Sequence, residues 1–68
     1  MTKREAQISR HILLGWPYSR IAKEFELNLP TVKKHVSNIY NKVGCSTHVE
    51  FVSMVLNSAD FLNQIYGV

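Results

Sequence analysis

Apolar residues recur along the chain at spacings of three and four, and the runs break wherever a helix-capping or helix-ending residue stands. Thr2-Lys-Arg-Glu5 is a capping box, in which the threonine accepts from an unpaired helix amide and the glutamate reaches back to the cap. Ile8, Ile12 and Leu13 follow, and Gly15 with Trp16-Pro17 closes the segment. Pro17 is placed to open a second, short helix with Ile21, Ala22 and Phe25 on its apolar stripe. Asn28 caps a third helix that tolerates Pro30 in its first turn. From Thr31 onward two faces separate: at about 100° per residue, Val32, Val36, Ile39, Tyr40 and Val43 gather on one side and Lys33, Lys34, Ser37, Asn38 and Asn41 roughly opposite. Gly44 ends this helix, and Thr47-x-x-Glu50 is a second capping box ahead of Phe51, Val52, Met54, Val55 and Leu56. After Asn57-Ser58, the residues Phe61, Leu62, Ile65 and Tyr66 recur at spacing that continues this helix or forms a fifth.

The chain has 68 residues, enough for one small domain. A domain of this size buries only about 60% of its unfolded surface, so an enclosed catalytic pocket is not expected and an enzyme is a remote reading. A hydrophobic share of 46% fits a folded chain. The net charge of +3 is unevenly spread, because all eight bases lie in residues 1–45 and only the acids Glu50 and Asp60 follow. A basic body suits a polyanionic partner. The single cysteine, Cys45, excludes an intrachain disulfide and reads as a small turn residue. His11, His35 and His48 are widely separated in sequence, so neither a metal site, a cofactor nor a catalytic constellation is expected. There is no signal-like apolar run of about 7–15 residues behind a charged start and no membrane span of about 18, which makes the cytoplasm the expected compartment.

Three helices with a short second one, a tight connection and a third helix carrying a basic polar face describe a helix-turn-helix layout. Thr2-x-Arg4-Glu5, Gly15, Ile21-Ala22, Thr31-Val-Lys-Lys-His35-Val-Ser-Asn38-Ile-Tyr-Asn-Lys42-Val-Gly44 and Val49-Glu50 together resemble the LuxR/GerE-type DNA-binding domain of bacterial transcription regulators, from Thr2 to about Leu56. The resemblance implies an all-α, four-helix domain over residues 1–57, whose third helix, about 29–43, enters the major groove of double-stranded DNA and whose fourth pairs two subunits. Residues 58–68 form an apolar extension outside the shared pattern.

By position, the resemblance makes Lys33, Lys34 and Ser37 the base-edge readers, and lysine suits guanine O6 and N7. Thr31, His35, Asn38 and Lys42 serve the phosphates or the helix packing. The family usually has a small polar residue and then Asn-Lys-Glu before Ile21-Ala22. Here Pro17-Tyr18-Ser19-Arg20 stands instead, and Tyr18, Ser19 and Arg20 can all donate to phosphate. Ser9 and His11 replace leucines that the family often has, while Trp16 and Phe25 are expected in the core.

The fourth helix is apolar nearly all round, more than one buried stripe needs, so Val49, Val52, Ser53, Val55 and Leu56 are expected at a homodimer interface. RNA polymerase is a candidate further partner. Two rival readings use a similar fold: a module that binds a regulator or polymerase subunit and barely touches DNA, and a promoter-recognising domain of a sigma factor. Two lysines and no acid on the third helix's polar face argue against the first.

Overall fold

In the computed structural model, which describes residues 1–67, the caps read from the sequence hold the helix ends. Val68, the last residue of the expected extension, lies outside the described residues. Helix α1 (Lys3–Leu13) begins at Thr2, whose Oγ1 accepts from the Glu5 amide at 3.1 Å while Glu5 Oε1 accepts from the Thr2 amide at 2.8 Å. Helix α2 (Tyr18–Glu24) has Pro17 as its N-cap rather than in its first turn, and no side chain caps it. Helix α3 (Leu29–Val43) starts where Asn28 Oδ1 accepts from the Thr31 amide at 3.0 Å, and stops at Gly44. Helix α4 (His48–Leu56) uses the Thr47–Glu50 box. The tail forms a separate fifth helix, α5 (Ala59–Tyr66), capped by Ser58.

Two backbone positions make the short connections possible. Gly44 has φ 86°, a left-handed conformation that closes α3 at no side-chain cost. Glu26, between α2 and α3, has φ 54° although it carries a side chain. A left-handed residue with a Cβ costs about 1–2 kcal/mol, and here the tight turn imposes it.

The core is one cluster to which every helix contributes: Ile8 and Ile12, Ile21 and Ala22, the α3 stripe Val32, Val36, Ile39 and Val43, then Phe51, Val55 and Ile65. α3 packs on α1, α2 and α4, and α5 packs on α1 and α4. Each large side chain taken fully out of water contributes about 1.5–3 kcal/mol. Val55, expected at a subunit interface, is fully buried in this cluster, because α4 lies between α3 and α5. Trp16 and Phe25, expected in the core, sit half-buried at its edge. Ser9 is fully buried at a place where the family often has leucine, its hydroxyl donating to Met1 Sδ at 3.7 Å.

One polar contact crosses the core's rim. Lys42 Nζ, on the last turn of α3, donates to Glu5 Oε1 at 2.7 Å, with Glu5 buried and Lys42 half-exposed. The lysine first, and the Thr2 amide after it, hold the Glu5 carboxyl below the ordinary value of 4.5 despite its burial. A carboxyl whose folded value is depressed contributes stability above the unfolded value and loses it as pH falls through the folded one. Glu5→Gln keeps the cap's shape and removes the charge. It is expected to lower the unfolding free energy at pH 7 by about 1–2 kcal/mol, screened by the exposed lysine, and to flatten the acid-induced loss of stability expected of the parent protein as pH falls below 4.5. Urea titrations from pH 7 to 3 check this, and parallel curves for the two proteins would contradict it. Glu26→Gly should raise stability by up to about 1 kcal/mol by relieving the left-handed strain, read as a higher urea midpoint.

Candidate nucleic-acid interface

The burial of Val32, Val36, Ile39 and Val43 sets how α3 is rolled, and so which side faces out. Lys33, Lys34, Ser37, Asn38 and Asn41 are all exposed on that side, and α3 contains no acidic residue. The two lysines fall in the first half of the helix, where a groove-inserted helix meets base edges. His35 is half-buried on one flank of the exposed strip. Thr31, half-buried at the start, gives both its amide and its hydroxyl proton to Asn28 Oδ1. While it serves that cap it has no donor left for a phosphate. Lys42 is committed to Glu5, although an ammonium has two further N–H bonds to offer.

On α2, Ser19 and Arg20 are exposed and Tyr18 is half-buried. The Arg20 guanidinium lies 3.8 Å from the centroid of the Trp16 ring. On α1, Arg4 lies 5.0 Å from the centroid of Phe25. Between the two aromatic rings stands His11, edge-on to Trp16 at 4.5 Å and to Phe25 at 5.1 Å, with Nδ1 donating to the Gln7 carbonyl at 2.8 Å. This ladder explains why a histidine is accommodated at a leucine's place: its ring fills the space with aromatic edges and its polar nitrogen is satisfied. Arg4, like Lys3, Arg10 and Lys23, is a basic side chain to which the sequence alone assigned no role. Its only signal is its place beside Glu5 in the first capping box, which says nothing about Phe25.

The outer side of α4 is a second feature. Val49 and Leu56 are 78% and 60% exposed, Ser53 is exposed and Val52 half-buried, so the four line one stripe while Phe51 and Val55 point inward. Cys45 is buried, and burial first, then the Glu50 charge, pushes its thiol up, away from the reactive thiolate. Among the described residues no three His, Cys, Asp or Glu side chains group as metal ligands, and no helix is long and apolar enough to cross a membrane.

The family model GerE, described as bacterial regulatory proteins of the luxR family, matches residues 1–55. The chain belongs to this family. No curated protein and no solved structure was found to match it. The LuxR-family match covers α1 through almost all of α4, and α5 is a helix added after it. The protein is thus an all-α helix-turn-helix domain of the DNA-binding, transcription-regulating kind.

Proposed function

We propose that this LuxR-type domain reads a specific double-stranded DNA sequence by seating α3 in the major groove, and that it does so as a homodimer paired through the outer side of α4. The observation that carries the reading is the exposed face of α3: two lysines and three two-way hydrogen-bonding side chains on a helix without an acid. Lys33, Lys34 and Ser37 meet base edges, where lysine offers donors to guanine. Ser19 and Arg20 from α2, with Asn38, His35 and Tyr18 at the margins, take backbone phosphates, and Lys42 adds charge at the far end of α3 while it holds Glu5. Arg20 enters this set ordered in advance, since its stack on Trp16 removes part of the side-chain entropy that binding would otherwise cost.

Pairing rests on Val49, Val52, Ser53 and Leu56. Large apolar side chains left in water on one stripe of a small domain favour a second apolar surface. An isologous pair brings two α3 helices to successive major grooves, about one helical turn or 10 base pairs apart, so the site is an inverted repeat with that spacing.

Lys34→Ala is expected to relax sequence preference, bringing preferred and random duplexes closer in affinity. Arg20→Ala is expected to weaken binding to all sequences alike and to reduce the slope of log affinity against log salt by about one. Titrations on both duplexes at several salt concentrations measure the difference, and identical behaviour of the two variants would sink the division of roles. For the dimer, Leu56→Glu and Val49→Glu should leave helix content and single-half-site affinity unchanged while abolishing cooperative binding to a two-half-site duplex. Val55→Glu, by contrast, should unfold the domain, because it buries an unpaired charge. Circular dichroism, sedimentation and half-site titrations test this, and unaltered two-site cooperativity in both folded variants would refute pairing through α4.

A further inference from the structure

Arg20, in the first turn of α2, has a candidate partner on each side along the chain. Glu24 is four residues on, at a spacing where opposite charges on a helix can pair, and it is exposed. Trp16 is four residues back, just ahead of the N-cap Pro17. The guanidinium takes the tryptophan. It lies over the indole, 3.8 Å from the ring centroid, and the only ion pair among the described residues is Lys42–Glu5. Side chains on a helix lean toward its N-terminus, so the backbone already sends Arg20 back over Trp16 and away from Glu24. The indole is a held platform. The Trp16 amide donates to the His11 carbonyl at 3.1 Å, the His11 ring meets the indole edge-on at 4.5 Å, and Pro17, with φ −67°, follows directly. Among the described residues this is the shortest contact of a guanidinium with a ring, against 5.0 Å for Arg4 and 5.8 Å for Arg10.

We infer that Trp16 is a positioning residue for DNA binding: it withholds the Arg20 guanidinium from Glu24 and keeps that charge free at the start of α2. The inference rests on the reading of Arg20 as a phosphate contact. Paired with Glu24, the guanidinium would have its charge neutralised and its N–H groups turned toward the other end of α2. On the indole it keeps both, because a stack uses the flat face of the group and leaves its N–H edge open. Trp16 touches no phosphate itself and acts through Arg20. Phosphate contacts carry no sequence information, so the effect of Trp16 falls equally on preferred and random duplexes.

Trp16→Leu is expected to weaken binding to both kinds of duplex by about two- to fivefold, the range of an exposed cation–aromatic contact, and to lower the salt slope toward that of Arg20→Ala. Glu24→Gln added to Trp16→Leu should restore the loss, whereas alone it should change affinity less, because in the parent Glu24 does not hold Arg20. Trp16→Leu added to Arg20→Ala should cost nothing further. A tryptophan with a merely structural role would lose the same factor with or without Arg20, and Glu24→Gln would not repair it; either result overturns the inference. Arg20→Ala binding as tightly as the parent would instead remove Arg20 from the phosphate contacts, and the inference with it. Where Trp16→Leu disturbs the fold, the exposed Arg20→Lys carries the test: its ammonium is more strongly hydrated and stacks less well, so the same loss and the same rescue by Glu24→Gln are expected. In the unaltered protein without DNA, ring-current shifts of the Arg20 side-chain protons and their nuclear Overhauser contacts to the indole read the stack directly. Their absence would overturn it.

Discussion

A single oxygen, Glu5 Oε1, accepts from the Thr2 amide at the start of α1 and from the Lys42 ammonium at the end of α3. The same carboxylate therefore begins one helix and ties the last turn of another to it. Burying a carboxylate is costly unless its lone pairs are used, and here both donors are short and one is charged. α3 has its apolar stripe on the core and its last turn tied to α1, which leaves only one orientation for Lys33, Lys34 and Ser37. Whatever this face contacts depends on that restraint.

Helix α4 shows how a nearly all-apolar segment is divided by its neighbours. Phe51 and Val55 are taken into the core between α3 and α5, while Val49, Val52, Ser53 and Leu56 remain outside. α5 is held to the body by more than its buried Ile65. Arg10 Nε donates to the Ile65 carbonyl at 2.6 Å, and the same guanidinium lies 5.8 Å from the Tyr66 ring. A cation near the last carbonyls of a helix is favourably placed against its dipole, so α1 caps the helix that covers it.

Two basic side chains of α1 and α2 are ordered by aromatic rings rather than by acids. Arg20 on Trp16 and Arg4 on Phe25 keep their guanidinium charge uncompensated, whereas a salt bridge would have neutralised it. His11, edge-on to both rings, joins them into one ladder. A domain that must present positive charge gains order this way without losing field.

Capping boxes, the terminating glycines and the two faces of α3 were legible in the chain because each is set within a few residues: a cap needs its partner three positions on, and a face needs only the helical period. The family motif lies in the same local stretch, so the helix-turn-helix architecture and the exposed polar face of α3 followed from residues alone. What lay beyond reach involves partners far apart in sequence. Glu5 and Lys42 are 37 positions apart, and the capping box explains Glu5 fully without the lysine. Periodicity counts the apolar sides of α4 but does not say which neighbour covers which. Val55 therefore read as an interface residue until α3 and α5 were seen to enclose it. The left-handed Glu26 and the arginine stacks belong to the same class. A helix's own hydrogen bonds are satisfied within its segment, whereas side-chain burial is settled only when separate helices compete for the same space, and that competition is resolved by the packed fold.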